Sequence, residues 1–242
     1  MDIKTGTLYG LGVGPGDPEL ITLKSMQILN KVDIVFAASS TKNNYSLAVS
    51  IAKPHIPEAT LIKMLAFPMI KDISKAKKIW EEHAHSIIKE LVNGKDVAFV
   101  TLGDCMTYST YGYILKHISM LAPDISIVSV PGITSYQAAA ARINKPLVEG
   151  EESLTIVSGI EGGNALRELK SRQSNMVFLK AYKNINDIVS AIEEADLLDT
   201  SVGITNCGLA EEKIIKDVKS FTQMPPEYWT LIMTKPKKEN GA

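Results

Sequence analysis

A short apolar run, Thr7-Leu8-Tyr9-Gly10-Leu11, leads straight into Gly12-Val13-Gly14-Pro15-Gly16-Asp17-Pro18, after which Leu20, Leu23, Ile28 and Leu29 recur at helical spacing. So many glycines and prolines together can continue neither a strand nor a helix, so the segment is a sharp turn joining one to the other. The next apolar run, Asp33-Ile34-Val35-Phe36-Ala37, closes a β–α–β unit, which needs a crossover helix and a parallel sheet. Asp17 and Pro18 stand where the N-cap and first helical residue of the next helix belong, so the positive end of that helix is answered by a carboxylate of the chain itself.

Two phosphate-binding readings of this turn fail. A P-loop requires Lys and Ser/Thr after its last glycine, and here Asp17-Pro18-Glu19 follows and would repel phosphate. A dinucleotide fingerprint requires G-x-G-x-x-G and an acid after the second strand, whereas the spacing is G-x-G-x-G and Ser39-Ser40 follow.

The alternation continues. A charged helix over Ser74 to Val92 ends at Asn93-Gly94, and Val97-Ala98-Phe99-Val100-Thr101-Leu102 reads as a buried strand. Its end runs into Gly103-Asp104, and a helix through Tyr113 to Met120 stops at Ala122-Pro123-Asp124. That turn divides the chain into an N-terminal α/β domain, 1–122, and a C-terminal α/β domain, 123–242. In the second half strands are read at 125–130, 154–157, 176–179, 201–205 and 229–233, with helices near Ser135 to Arg142, Ala165 to Lys170 and Ile185 to Ala195. Glu212 to Ile215 follows its strand so closely that an antiparallel hairpin is expected. The first sheet is therefore mainly parallel, the second mixed, and residues from Pro236 onward form a tail.

Composition narrows the function. Lys+Arg 26 against Asp+Glu 27 leaves a formal charge of −1, with no basic field for nucleic acid or an anionic membrane. Cys105 and Cys207 are the only cysteines, which excludes a disulfide framework and a thiolate zinc site. His83 and His85 are two apart on a helix and face different ways, while His55 and His117 stand alone, so no protein-bound metal is expected. The first Gly/Pro turn comes before any stretch of signal-peptide length, and no run of about 18 apolar residues occurs; a soluble, cytoplasmic protein is expected.

Three glycine turns at strand ends carry the strongest signal: Gly12 to Thr22, Gly103 to Tyr108, and Pro131 to Ser135 ahead of Tyr136-Gln137-Ala138-Ala139-Ala140-Ala141. Their combination resembles the tetrapyrrole methyltransferases, with G-x-GPGDP-x-L-[IL]-T, G-D-x-x-x-Y/F and PG-[IV]-[ST]-[SA] in that order. Phe67-Pro68-Met69 with Trp80, TLGDCMTYSTY at 101–111, AAAARINKPLVEGEE at 138–152 and Asn206 to Ile214 resemble the branch that methylates C20 of precorrin-2 or cobalt-factor II in cobalamin biosynthesis. The Tyr108-to-Tyr111 continuation and Phe67-Pro68-Met69 disfavour the uroporphyrinogen III and ribosomal RNA branches, and a non-catalytic ligand-binding module on the same fold is the alternative of another class. Cys105 departs from the proline that commonly follows the aspartate, losing a ring-fixed φ.

The resemblance implies two α/β domains with S-adenosylmethionine in a cleft between them, held largely by main-chain atoms, and a homodimer. By resemblance Pro15, Leu102, Gly103, Asp104, Thr107, Thr134, Ser135, Lys180 and Cys207 occupy donor-binding positions, and Asp104 is also the catalytic candidate, through charge or proton removal. The implied acceptor is a flat apolar ring fringed with carboxylates, which needs apolar walls and a cationic rim. With only Arg142, Arg167 and Arg172 present, lysines must supply much of that rim, and Tyr108, Tyr111 and Tyr228 are candidates for the wall.

Overall fold

The computed structural model describes residues 5–39, 45–68, 70, 72–169 and 174–237. Ser40, Met69, Lys170, Arg172 and the tail from 238 on lie outside the described residues. The chain divides into two compact units, Met1–Thr134 and Ser135–Ala242.

In the first unit the order is β1 (Leu8–Gly12), α1 (Leu23–Leu29), β2 (Ile34–Ser39), α2 (Leu47–Ala52), β3 (Leu61–Ala66), α3 (Ile73–Val92), β4 (Val97–Thr101), α4 (Tyr111–Leu121) and β5 (Ile127–Val130). The strands lie in the order β3-β2-β4-β1-β5, every pair parallel. Alternate residues of each strand point to opposite faces, so a sheet covered on both sides demands continuous apolar runs. Ile34, Phe36 and Phe99 pack with Ala84, Ile87, Leu91, Ile114 and Ile118 of α3 and α4. Val35, Ala37, Ala98 and Val100 pack with Leu29, Ala48 and Ile51 of α1 and α2 on the other face.

The expected division at 122/123 is moved. β5 pairs with β1 from Leu8↔Ile127 to Leu11↔Val130, so the Pro123 turn is the loop between α4 and the last strand of the first sheet, and the unit runs on to Thr134. Backbone pairing decided this, and a local turn signal cannot report which sheet a strand joins. Asp17 caps a different element from the one expected. Its carboxylate accepts from Glu19 N and Pro18 follows at N1, but the element they start is a single 3-10 turn over Pro18–Leu20. Helix α1 begins afterwards with its own cap, Thr22, which accepts from Ser25 N at 3.2 Å.

The second unit holds α5 (Ser135–Arg142), β6 (Leu154–Ser158), α6 (Asn164–Leu169), β7 (Asn175–Leu179), α7 (Ile185–Glu194), β8 (Val202–Thr205), β9 (Lys213–Ile215) and β10 (Thr230–Thr234). Its sheet runs β6-β7-β10-β8-β9, with β6 and β7 parallel and the other pairs antiparallel, the expected β8–β9 hairpin among them.

Strand β3 and helix α2 carried no readable pattern, and β3 is an edge strand whose Lys63 reaches α3. Glu90 of α3, nearly buried, holds Lys63 Nζ at 2.6 Å and Lys95 Nζ at 2.9 Å. The bond from Lys63, then that from Lys95, outweighs burial and holds the Glu90 carboxyl at about 2, well below 4.5. A depressed folded-state value means that the stabilisation is complete above the unfolded value and is lost as pH falls from about 4.5 to about 2. Chemical unfolding across that window is expected to show a steeper loss of stability in the native sequence than in Glu90→Gln. Equal slopes would remove Glu90 from the account.

Candidate functional site

Strands β1 and β4 are neighbours, yet the connection leaving β1 passes α1 on one face of the sheet and that leaving β4 passes α4 on the other. Such a switch point opens a crevice beyond the carboxyl ends of the two strands, where open α/β sheets bind ligands. All three glycine turns lie at this edge, because Gly12 pairs with Thr101 and Leu11 with Val130.

Backbone contacts join the turns. Val13 N donates to Thr101 O at 3.0 Å, and beyond the strands Gly14 and Gly103 exchange two hydrogen bonds of 3.2 and 2.7 Å in an isolated bridge. The third turn closes in on the other two: a Cβ on Gly132 would stand 2.2 Å from Gly103 O and 2.7 Å from Gly12 C, and one on Gly12 would stand 2.6 Å from Gly132 N. Only residues without side chains permit that approach. Gly103 also adopts a φ of +69°, in the left-handed region.

Side chains pin the same edge. Asp104 Oδ1 accepts from Met106 N at 2.9 Å and from the Thr107 hydroxyl at 3.0 Å, while its Oδ2 accepts from Gly132 N at 3.0 Å. The carboxylate thus ties the second turn to itself and to the third. The Cys105 thiol, fully buried, donates to Val130 O at 3.2 Å, so the residue standing in place of a proline is anchored from below. Thr101 and Ser109 share a hydroxyl hydrogen bond of 2.9 Å, and Ser109 Oγ accepts from Tyr111 N. In the first turn Ser25 Oγ donates to Gly12 O, and His55 Nε2 donates to Pro18 O at 3.0 Å.

Of the nine donor-binding candidates, Pro15, Leu102, Gly103, Asp104, Thr107 and Thr134 lie on these three turns of the first unit. Ser135, Lys180 and Cys207 belong to the second, where Ser135 opens α5, Lys180 follows β7 and Cys207 follows β8. β7 and β8 both run antiparallel to β10, which lies between them, so Lys180 and Cys207 share one sheet edge, with Tyr228 and Trp229 just ahead of β10 at that edge too. Lys180 sits at a φ of 57°, a strained conformation that a long side chain rarely adopts and that concentrates at functional sites. The loop carrying Cys207 is held by Glu212, which accepts from Gly208 N at 2.8 Å and from Arg142 Nε at 2.6 Å. Burial pushes the Glu212 carboxyl up, and Arg142 and the Gly208 amide more than reverse it, leaving it below its ordinary value.

Burial, reinforced by the Asp104 charge for Cys105 and the Glu212 charge for Cys207, pushes both thiols up to about 11. They should be inert as nucleophiles. Native protein at about pH 8 is expected to react slowly with a disulfide reagent, and denatured protein to titrate both cysteines at once; fast labelling of the native form would contradict this burial.

Tyr111 is fully buried, its hydroxyl 3.0 Å from Ser129 Oγ, so it belongs to the core and not to an acceptor wall. Tyr108 and Tyr228 are exposed, Tyr228 packed against Tyr182 and Trp229 with ring centroids 4.9 and 4.6 Å away. His83 Nε2 donates to Ala66 O, and among the described residues no three His, Cys, Asp or Glu side chains gather as a metal site. Among the same residues no helix is long and apolar enough to cross a membrane. Gly12 is absent from the site residues expected from the sequence, although the glycine spacing marks it. His55, Ser25 and Ser109 left no local signal, because their partners lie in other segments.

The family described as Tetrapyrrole (Corrin/Porphyrin) Methylases matches residues 7–220. The chain belongs to that family. A cobalt-precorrin-2 C(20)-methyltransferase of Salmonella typhimurium is 31% identical over 229 residues, covering 94% of this chain and 95% of its own length. A probable cobalt-precorrin-2 C(20)-methyltransferase of Methanocaldococcus jannaschii is 37% identical over 209 residues, 86% of each chain. Among solved structures, a cobalt precorrin-4 methyltransferase superposes with TM-score 0.73 at 22% identity, covering 95% of this chain and 94% of its own. A uroporphyrin-III C-methyl transferase from Thermus thermophilus, complexed with S-adenosyl homocysteine, gives 0.64 at 19%, covering 95% of this chain and 97% of its own. As in other tetrapyrrole methylases, the fold pairs an all-parallel sheet with a mixed one.

Proposed function

We propose that this protein transfers a methyl group from S-adenosylmethionine to C20 of precorrin-2 or its cobalt complex, in cobalamin biosynthesis. The carrying observation is likeness over nearly the whole length, 94% of this chain and 95% of the relative, to a protein named for that reaction. The meeting of the three turns fits such a donor: Gly12 and Gly132 lock the turns together, and beside Gly103 a Cβ would meet nothing nearer than Ile133 O at 3.8 Å, which leaves that backbone open to close approach.

When bound, the donor supplies a methyl already activated on a sulfonium sulfur. The protein's part is to bind, orient and exclude water, and orientation alone can supply roughly 7–11 kcal/mol of barrier reduction. In this reading Pro15, Leu102, Gly103, Thr107, Thr134, Ser135, Lys180 and Cys207 hold the donor. Asp104 keeps the second and third turns in register with a negative charge close by, which makes it a positioning residue first. The accepting carbon must lose a proton after methylation, and a carboxylate or water takes it. Lysines ring the acceptor's carboxylates, the protein works as a cytoplasmic homodimer, and its balanced charge suits a small-molecule partner over nucleic acid.

Calorimetry with S-adenosylmethionine, followed by mass spectra after adding precorrin-2 or cobalt-factor II, tests this. A gain of ~14 Da on the macrocycle is expected. Donor binding with no gain on either acceptor would reduce the protein to a binding module, and turnover of the two would show which acceptor it prefers.

A further inference from the structure

We infer that Tyr108 is a specificity-determining residue that presents its ring to the face of the tetrapyrrole; the inference rests on the proposed function and names a contact on the acceptor's side. Tyr108 has a φ of 51° and is 54% exposed. A bulky side chain in the left-handed region is a true outlier, and such strain persists only where the surroundings enforce it. Here both flanks are pinned. Ahead of Tyr108 the Asp104 carboxylate holds Met106 N and the Thr107 hydroxyl, and after it Ser109 is bound to Thr101 and caps Tyr111 N.

The core is within easy reach of this loop. Tyr111, three residues on, is fully buried beneath the sheet edge with its hydroxyl satisfied. Tyr108 is therefore held out by its backbone and is not merely left over by packing. Met106 is 61% exposed beside it, so the turn that carries Gly103 and Asp104 also lifts an aromatic and a thioether into solvent. Aromatic faces and methionine sulfur suit a flat, polarisable ring, by offset stacking and by adaptable contact.

The variant Tyr108→Asn keeps a residue that tolerates left-handed φ and removes the ring. Three readouts are expected: a higher unfolding midpoint, unchanged affinity for S-adenosylhomocysteine, and affinity for uroporphyrin III or cobalt-factor II, read by absorbance, weakened about tenfold or more. Tyr108→Phe should restore acceptor affinity. Unaltered acceptor affinity in Tyr108→Asn, or a lowered unfolding midpoint, would overturn the inference. Failure of the functional reading shows differently: if the native protein binds tetrapyrrole without methylating it, that reading falls and the Tyr108 contact still stands or falls on the binding series. A native protein that binds no tetrapyrrole overturns both.

Discussion

Gly132→Ala is expected to lose S-adenosylmethionine binding and to lower the unfolding midpoint at the same time. The added carbon would stand 2.2 Å from Gly103 O and 2.7 Å from Gly12 C, both backbone atoms of neighbouring turns. No rotamer relieves such a clash, so the strand ends must separate. Overpacking of this kind costs about 1–3 kcal/mol, and displacement of binding groups by about 1 Å can cost 10²-fold in rate. Gly103→Val provides the contrast. Its Cβ would meet nothing nearer than Ile133 O at 3.8 Å, so no clash forces the turns apart. Its penalty is the φ of +69°, which a β-branched residue resists, together with branched bulk where the donor must approach. Donor affinity should fall while the fold survives with some loss of stability. Thermal melts and calorimetry with S-adenosylhomocysteine distinguish the pair. Full donor affinity in Gly132→Ala would place the donor elsewhere, and in Gly103→Val it would remove Gly103 from the donor site.

The second large effect is at Asp104, where two roles predict different kinetics. As a clamp, its carboxylate keeps Gly132 N, Met106 N and the Thr107 hydroxyl together. Asp104→Ala then leaves these donors without their shared acceptor and frees the second turn from the third. Hydrogen bonds to a charged group contribute about 1.5–3 kcal/mol each, so a rise in the donor KM of at least about tenfold is expected, with kcat reduced less. As a proton acceptor, Asp104→Ala would lower kcat and leave the donor KM where it was. Asp104→Asn sharpens the comparison, since its amide keeps one oxygen but turns an N–H₂ toward a donor. A clamp loses donor affinity in Asn as in Ala. A kcat loss with native donor affinity in both variants would return Asp104 to the catalytic role first read for it.

The buried runs of β1, β2 and β4 announced themselves because a parallel sheet covered on both faces needs uninterrupted apolar residues. The glycine turns did so because clustered Gly and Pro can continue neither a strand nor a helix. Strand β3 was silent: it lies at the sheet's edge, only one of its six residues is buried, and Lys63 sits in its middle to meet Glu90. The 122/123 boundary was misplaced because Pro123 marks a loop as well as it would mark a linker. Asp17 was correctly seen as a cap, but of a 3-10 turn, since cap chemistry is the same for both helix types.

The amino-acid order by itself determined the α/β class, the family and the three turns, all of which depend on short-range steric rules or on motifs a few residues long. Tertiary structure alone decided that β5 completes the first sheet, that Gly132 presses on Gly103 and Gly12, that Asp104 ties two turns together, and that Tyr111 is buried while Tyr108 is not. The physical reason is that these facts are relations between segments far apart in the chain, set by strand pairing and by which backbone atoms meet, and no local pattern of residues encodes them.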